Sequence, residues 1–212
     1  MYNEINVFFC VIKIYYLHSY YYFTHNLKTT LEHIASIQTG VFARPSADGE
    51  IVYLQTRHFA ESGQIIGLLH PDLKADDVNA KHILKPGDVL FAAKGNKNFA
   101  AVIENDRIPF VASTSFFVIR IKDKMVLPEY LAWFMNSADT QVFLKSTALG
   151  SSMASISKGA LEKLEVLVPD IQTQHSILSI TKYRNREKEL RQKIESLQEI
   201  IIQQKIINAI KT

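Results

Sequence analysis

The chain has 212 residues, which fits one moderate domain with an appendage or two small domains. A hydrophobic content of 47% supplies enough apolar residues for a core and excludes wholesale disorder. The single cysteine, Cys10, excludes an internal disulfide and fits a reducing compartment. The formal net charge of +3 is unevenly placed, because residues 182–212 hold eight Lys or Arg against four Glu.

Residues 1–27 are interpreted as an N-terminal extension of unclear role. The run from Val7 to Leu17 is apolar and aromatic, but Glu4 stands where a secretory signal carries basic residues. The run is also too short to span a bilayer, so no membrane association is predicted. Two interpretations stay open: an additional strand or helix packed on the body, or a start codon placed upstream of the real one.

Residues 28–169 are predicted to form a β-rich body. Thr29 to Glu32 fits a capping box, which predicts a short helix through Ile34 that ends near Thr39 and Gly40. Residues 128–145 show a helical period and predict one or two amphipathic helices. Strands are predicted where β-branched and aromatic residues cluster between turn signals, at 51–55, 88–92, 99–103, 110–112, 115–121 and 164–168. The predicted fold class is α+β (mixed α/β).

Residues 170–212 are predicted to form one long coiled-coil helix, because they contain neither proline nor glycine. Their apolar residues return in alternating steps of four and three, which is the a/d seam of a coiled coil. The predicted pairing positions are Tyr183, Leu190, Ile194, Leu197 and Ile201. A helix with so much exposed isoleucine requires a partner surface, and we expect a homodimer through this seam.

The order of segments resembles a known family. The segments that carry the resemblance are Leu31–Ala35 with Gly40, Val52–Gln55, Leu84–Phe91 with Lys94 and Gly95, Phe116–Arg120 with Pro128–Leu131, Gly150–Ser157, Leu161–Pro169 and Gln174 with the long helix. In this order and spacing, residues 28–210 resemble the specificity subunit of type I restriction-modification systems.

The resemblance implies a target recognition domain followed by a spacer helix. The recognition domain would read one half of a split DNA sequence, and the protein would work in the cytoplasm. Such subunits catalyse nothing and carry no cofactor. They dock methyltransferase (modification) subunits, which modify adenine, and a restriction subunit, which moves along DNA and cuts it. The family protein has two recognition domains and two spacer helices, whereas this chain has one of each. It is therefore either a half-length subunit that pairs with a second copy or a truncated gene product.

Candidate DNA-binding residues are sought on turns and strand ends, where cations reach phosphates and polar side chains reach base edges. The strongest group is the turn with Lys94, Asn96, Lys97 and Asn98, for which an ordinary polar hairpin turn is the alternative. Arg57 and His58 follow a strand, where a solvated arginine is the alternative. The remaining candidates lie in loops of polar or small residues: Thr39, Arg44, Ser151 and Ser152.

Other functions fit the sequence less well. Ser155 to Lys158 matches the Ser-x-x-Lys pattern of penicillin-binding enzymes, but neither Ser-Asp-Asn nor Lys-Thr-Gly accompanies it. With one cysteine and scattered histidines, no zinc site is predicted. The basic run at 182–193 is typical of a solvated coiled-coil face. The alternatives are contact with DNA lying between two half-sites and contact with an acidic patch of the methyltransferase. The alternative function is a truncated interaction module, which pairs with a full specificity subunit or a methyltransferase without reading DNA.

The helix also predicts a distance. Two antiparallel helices of about thirty residues would separate two recognition domains by roughly 45 Å, at about 1.5 Å per residue. At about 3.4 Å per base pair, this corresponds to about 13 base pairs between half-site centres. The expected target is palindromic and split by an unread gap.

Overall fold

The architecture comes from a computed structural model, in which residues 27–46, 48–95, 98–104, 107–148 and 155–210 are described. The chain divides into two compact units. The first is a body that ends at Ile171, and the second runs from Gln172 to Thr212.

The body combines short strands with short helices, which confirms the α+β fold class. The strands are β1 (Leu27–Thr30), β2 (Ala35–Thr39), β3 (Val52–Leu54), β4 (Val89–Ala92), β5 (Ala100–Val102), β6 (Phe110–Ala112), β7 (Phe116–Ile121) and β8 (Glu165–Val168). The α-helices are α1 (Leu31–Ile34), α2 (Pro128–Asn136), α3 (Ala138–Ser146), α4 (Lys158–Glu162) and the long helix α5 (Ile171–Ile210). Tight 3-10 turns cover Thr56–His58, Ala75–Asp77 and Ala80–His82.

A four-stranded antiparallel sheet in the order β2–β7–β4–β5 forms the centre of the body. Strand β7 is central, and Phe117 near its start lies opposite Thr39 of β2 and Phe91 of β4. The C-terminal ends of β2 and β4 therefore meet the N-terminal end of β7. We call this end of the sheet, where β2 and β4 finish and β7 begins, the front end.

Both faces of the central sheet are covered, which explains why β4 and β7 are apolar along almost their whole length. Successive side chains of a strand point to opposite faces. Phe91 and Ile119 accordingly join a core cluster with Met135 of α2. Leu90 and Val118 join a second cluster, which contains the apolar residues of the parallel pair β3–β6. The sheet thus separates a helical layer from a second β-layer.

The first and last strands of the described body are neighbours. Strand β1 pairs antiparallel with β8, so that Leu27 lies opposite Val168. Helix α2 contacts this pair through Tyr130, whose hydroxyl donates a hydrogen bond to the Leu167 carbonyl at 2.7 Å. The two-stranded ladder of β1 and β8 is therefore tied to the helical layer.

Most predicted elements of the body are confirmed, but the predicted capping box is misplaced. Thr29 lies in β1, and Thr30 is the N-cap residue of α1 without a side-chain capping hydrogen bond. The helix also does not continue towards Gly40, because residues 35–39 pair with β7 as strand β2. Residues 128–145, predicted as one or two helices, form two, with Ser137 as the N-cap of the second.

The predicted long C-terminal helix is confirmed as α5, which has 40 residues. Its apolar side chains do not make it a membrane helix. Within the described ranges, no helix combines the length and the apolar character that crossing a bilayer requires.

Candidate nucleic-acid interface

Backbone hydrogen bonds fix two loops at the front end of the sheet. The amide of Gly40, directly after β2, donates to the Phe116 carbonyl at 3.0 Å. The amide of Ala93, directly after β4, donates to the Ser115 carbonyl at 2.9 Å. The loops that follow β2 and β4 therefore leave the sheet on the two sides of the start of β7, and Lys94 begins the second loop.

The parallel pair β3–β6 brings a third loop to the same end. The Ser113 amide, after β6, donates to the Leu54 carbonyl at 2.9 Å, and Ser113 forms a parallel bridge with Val41. Because β3 ends at Leu54, the 3-10 turn Thr56–His58 follows at the front end. This turn carries Arg57 and His58, so the predicted residues after β2, β3 and β4 are gathered in one region.

Gly40 permits the close approach between two of these segments. A Cβ atom at this position would lie 2.1 Å from the Ser113 carbonyl oxygen and 2.5 Å from that of Ala112. Only glycine avoids such a clash with backbone atoms. The loop after β2 is therefore held against the end of β6.

Arg57 and Lys94 line one open pocket of about 380 Å³ at the front end. Its lining residues come from the segment after β3 and the turn after β4: Thr56, Arg57, Phe59, Ala60, Glu61, Lys94, Gly95 and Phe99. Phe59 and Phe99 are almost fully buried, and their ring centroids are 5.4 Å apart. The pocket thus has a rigid aromatic wall and two exposed cations at its rim.

His58 stabilises the 3-10 turn. Its Nδ1 lies 3.3 Å from the backbone nitrogen of Gln55, whose side chain in turn accepts a hydrogen bond from the His58 backbone. Burial is the main cause that lowers the pKa of His58 below its ordinary value of 6.5. The neighbouring Arg57 lowers this pKa further, whereas Asp72 raises it. His58 is therefore neutral at pH 7.

His58 also bears on how Arg57 is held. The Arg57 Nε atom lies 3.3 Å from His58 Nε2 and is placed to donate a hydrogen bond to it. A neutral imidazole has one donor and one acceptor nitrogen, so His58 accepts either from the Gln55 amide at Nδ1 or from Arg57 at Nε2. Either contact involves only the Nε atom of Arg57. The exposed guanidinium therefore keeps its terminal Nη donors for an anion or a base acceptor at the front end.

The turn after β4 contains four of the predicted residues. Gly95 has φ of +109°, a left-handed conformation that favours glycine. The Asn98 side-chain amide donates to the Ala92 carbonyl at 2.8 Å, so this side chain closes the turn. Lys94 is exposed at the start of the turn. Asn96 and Lys97 lie outside the described residues.

The small-residue loop before α4 ends at the front end of the sheet. Ser155 forms an antiparallel bridge with Lys94, and the Ile156 amide donates to the Ala93 carbonyl at 3.0 Å. The last residue of the loop is therefore fixed to the front end. The predicted residues Ser151 and Ser152 lie outside the described residues.

Thr39, the last residue of β2, and Arg44, in the loop that follows, are both exposed. The Tyr53 hydroxyl holds this loop, because it donates to the Val41 carbonyl at 2.8 Å. The same loop exposes Phe42, whose accessible fraction is 77%. Sequence reasoning passed over Phe42 because an apolar residue is expected inside the protein. Its only sequence signal is its position between two exposed polar candidates near Gly40.

The side chains at the front end suit contacts with a polyanion. The exposed cations Arg44, Arg57 and Lys94 can meet phosphates, and Phe42 offers an apolar surface to a thymine methyl group. In the described part of the chain, no group of three or more His, Cys, Asp or Glu residues is arranged to hold a metal ion. The exposed cations themselves suit this region to binding a polyanion.

Helix α5 presents its predicted pairing positions to solvent in the single chain. Tyr183 is 73% exposed, and the others are about half exposed. The complete set of predicted pairing positions is Tyr183, Leu190, Ile194, Leu197 and Ile201. Further isoleucines widen the exposed apolar surface towards the C-terminal end: Ile200, Ile202, Ile206, Ile207 and Ile210.

A family model and a curated relative both match this chain to type I specificity subunits. The family model for the type I restriction modification DNA specificity domain matches residues 70–198. The type I restriction enzyme HindI specificity subunit of Haemophilus influenzae is 34% identical over 105 residues, which cover 48% of this chain and 23% of that protein.

Solved structures of S subunits show the same fold. The S subunit from M. genitalium matches with a TM-score of 0.53 and 15% identity, over 77% of this chain and 40% of that one. The HsdS subunit from Thermoanaerobacter tengcongensis matches with a TM-score of 0.60 and 19% identity, over 79% and 44%. A chain from a structure on complex assembly of the type I system matches with a TM-score of 0.57 and 13% identity, over 77% and 39%.

The chain thus spans less than half the length of the relatives that it matches. The family model nevertheless covers more than half of this chain. The chain therefore belongs to the family of type I restriction-modification specificity subunits and carries one target recognition domain.

Proposed function

We propose that the body reads one half of a split DNA target for a type I restriction-modification system. The observation that carries this proposal is the pocket at the front end, whose rim holds both Arg57 and Lys94. Two cations fixed on separate strand ends can contact two phosphates, and arginine can instead read guanine with two hydrogen bonds. Membership in the specificity-subunit family supports the same role.

The proposal divides the work among the loops at the front end. Lys94 is assigned to a phosphate and Arg57 to a guanine edge, while Phe42 contacts a thymine methyl group. Thr39 and Arg44 contact the DNA beside Phe42. Asn96 and Lys97 follow Lys94 in the sequence, and Ser151 and Ser152 precede Ser155, so they remain candidates for DNA contact. His58 and Asn98 position their neighbours through the hydrogen bonds described above.

We further propose that the chain directs other subunits and catalyses nothing itself. A methyltransferase subunit would modify an adenine flipped out of the duplex, and a restriction subunit would cut the DNA. The working location is the cytoplasm, and no cofactor is needed for recognition. Helix α5 would pair with another helix and separate two recognition domains. Its 40 residues span about 60 Å, which corresponds to roughly 18 base pairs as an upper bound.

Selection from a random duplex pool tests the DNA-reading role. The purified chain, alone and with the methyltransferase encoded beside it, should enrich a motif of two short parts separated by an unread gap. The double variant Arg57→Ala, Lys94→Ala should lose this enrichment. Lys124→Ala is the matched control, because Lys124 is exposed beyond the C-terminal end of β7, away from the front end. A single contiguous motif would contradict the proposal.

A second candidate function rests on the exposed isoleucines of α5. In this alternative, the chain is an interaction module that pairs with a full specificity subunit or a methyltransferase and reads no DNA. The same selection separates the two candidates. Binding to a protein partner that requires α5, together with no enriched motif, would favour the interaction module.

A further inference from the structure

One carboxylate lines the same pocket as the two cations. Glu61 is exposed and shares the pocket at the front end with Arg57 and Lys94. DNA phosphates are negatively charged and carry only acceptor oxygens, and an ionised carboxylate is likewise an acceptor. In a pocket that binds DNA, Glu61 is therefore repelled by the backbone that Lys94 attracts. Any favourable contact of Glu61 with DNA must come from a hydrogen-bond donor.

A tight turn fixes the position of Glu61 in the chain. The Ala60 amide donates to the Gln64 carbonyl at 2.8 Å, and the Gly63 amide donates to the Ala60 carbonyl at 2.9 Å. These two backbone hydrogen bonds close the turn that contains Glu61. A side chain on such a preorganised segment can select one partner, because little freedom is lost when the contact forms.

The turn is also packed against the central sheet. Phe59, which precedes it, has its ring centroid 5.4 Å from that of Phe99 and 5.5 Å from that of Phe116. At Gly63, φ is +81°, and an added Cβ atom would lie 2.6 Å from the Ala100 carbonyl oxygen. The turn is therefore held between the aromatic cluster and the backbone of β5.

The donors that bases offer in the major groove are exocyclic amino groups. Cytosine presents N4 and adenine presents N6, whereas guanine and thymine present acceptor oxygens at the corresponding positions. Carboxylate side chains characteristically accept from N4 of cytosine. Because Arg57 is assigned to the major-groove edge of a guanine, Glu61 in the same pocket would face the same groove.

We propose that Glu61 determines sequence preference by accepting a hydrogen bond from the exocyclic amino group of a base, N4 of cytosine or N6 of adenine, next to the guanine assigned to Arg57. Thymine or guanine at this position would place an acceptor against the carboxylate, which disfavours the complex. An ionised carboxylate has about four acceptor positions, so a contact within the protein leaves others for a base. The inference rests on the DNA-reading role proposed above and names the chemistry of one base that is read.

Parallel selections from the random duplex pool locate this base. The wild type, Glu61→Ala and Glu104→Ala are each selected as described above, and urea denaturation checks that each variant is folded. Glu61→Ala should enrich the same split motif except at one position, where the preference for cytosine or adenine falls by about fivefold or more. Glu104→Ala is the matched control and should keep the complete motif. Glu104 is exposed after β5, beside the start of β4 and away from the front end.

Removal of the amino group from the DNA gives a sharper comparison. At the position found, the base is replaced by a cytosine analogue without the N4 amino group or an adenine analogue without the N6 amino group. This change also weakens the base pair, but equally for every variant, so the coupling is the difference between the wild type and Glu61→Ala. The loss of affinity, measured by fluorescence anisotropy, should be about five- to hundredfold larger for the wild type.

Glu61→Gln distinguishes an acceptor from a mere negative charge. Glutamine removes the charge but keeps a carbonyl acceptor, and it pairs with N6 and N7 of adenine. This variant should therefore still prefer a base with an amino group, with adenine favoured over cytosine. If the charge alone were responsible, Glu61→Gln would behave as Glu61→Ala does, and the inference would be wrong.

Two further outcomes overturn the inference. An unchanged motif for Glu61→Ala, or an equal loss of affinity when the amino group is removed, shows that the carboxylate contacts no amino group. If Glu61→Ala weakens only the preference for the guanine, Glu61 merely orients Arg57. In both cases the wild type still enriches a split motif, so the proposed DNA-reading role stands. If the wild type enriches no motif, that role and the inference fail together.

Discussion

Asp88 and Arg120 form a two-point ion pair between the start of β4 and β7. The Arg120 Nε and Nη2 atoms lie 2.7 and 2.6 Å from the two carboxylate oxygens of Asp88. Asp88 is 2% exposed, whereas the arginine side chain keeps about a third of its surface in solvent. The Lys85 amide adds a hydrogen bond of 2.9 Å to the carboxylate. The buried Asp88 carboxylate therefore depends on the partly exposed Arg120 for its counter-charge.

Removal of the two partners should have unequal costs. Arg120→Met leaves a buried carboxylate without its counter-charge and should lower the free energy of unfolding by about 3 kcal/mol or more. Asp88→Asn keeps an acceptor for the Lys85 amide and should cost only about 1–2 kcal/mol. Urea denaturation at pH 7 measures both values. The hydrogen bond to Asp88 also raises the pKa of Arg120, so the guanidinium is charged at the pH of this measurement. Equal losses would contradict this account.

Gly40→Ala should destabilise the body by about 2 kcal/mol or more, because the new Cβ meets backbone carbonyls of β6 and Ser113 that cannot move independently. Gly159→Ala is the matched control. A Cβ at Gly159 meets nothing within 4 Å, and alanine in helix α4 should be neutral or stabilising by up to about 1 kcal/mol. The midpoints of urea denaturation distinguish the two variants. A neutral Gly40→Ala variant would show that the loop after β2 can move away from β6.

Arg57→Ala combined with Lys94→Ala should weaken binding to the selected DNA and reduce its salt dependence. Lys94 is the assigned phosphate contact, so its loss should lower the slope of log affinity against log salt by about 0.9, whereas loss of Arg57 should mainly relax the preference for the guanine that it reads. Because both side chains are exposed, the free energy of unfolding should change by less than about 0.5 kcal/mol each. Lys124→Ala should leave affinity and slope unchanged. An unchanged slope in the double variant would show that DNA binds outside the pocket.

The lowered pKa of His58 predicts a direction for the pH dependence of stability. The unfolded chain binds a proton at His58 near the ordinary pKa of 6.5, whereas the folded chain binds it only at lower pH. The free energy of unfolding should therefore fall as pH decreases below about 6.5, until the lower pKa of the folded state is passed. Comparison with His58→Asn between pH 5 and 7 isolates this contribution from other groups. A wild-type chain that gains stability over the variant on acidification would show the opposite shift.

Ile194→Asp should weaken pairing through α5 while the body stays folded. A carboxylate at a buried seam position costs about 3 kcal/mol, which weakens pairing by about a hundredfold. Gln192→Asp introduces the same side chain at an outer position and should pair almost as the wild type does. Analytical ultracentrifugation of the full chain measures the association of both variants. Similar binding by the two variants would place the interface on another face of α5.

Elements with strong local patterns were predictable from the sequence. Strands β4 and β7 are apolar because the sheet is covered on both faces, and α5 has a long seam without proline or glycine. Strands β1 and β2 were missed. Residues 35–39 are short and partly polar, and they are a strand because β7, more than 75 positions further along the chain, pairs with them. Such long-range pairing leaves no local periodicity.

The candidate site was predictable as separate pieces. Arg57 and Lys94 were recognised because they follow strand-like runs, but no local pattern states that they line the same pocket. Their proximity arises from the parallel pairing of β3 with β6 and the position of β7 between β2 and β4. The structural roles of His58 and Asn98 also required coordinates, because each depends on a hydrogen bond to a backbone atom.

The pairing of β1 with β8 has a consequence for how the body can be rearranged. Because Leu27 lies opposite Val168, the polypeptide enters and leaves the described body through adjacent strands. A folded unit with adjacent ends can be copied in tandem, inserted into another chain or circularly permuted without a new path through its core. Exchange of the segment between these two strands would transfer the whole proposed DNA-contacting surface in one step and leave α5 unchanged.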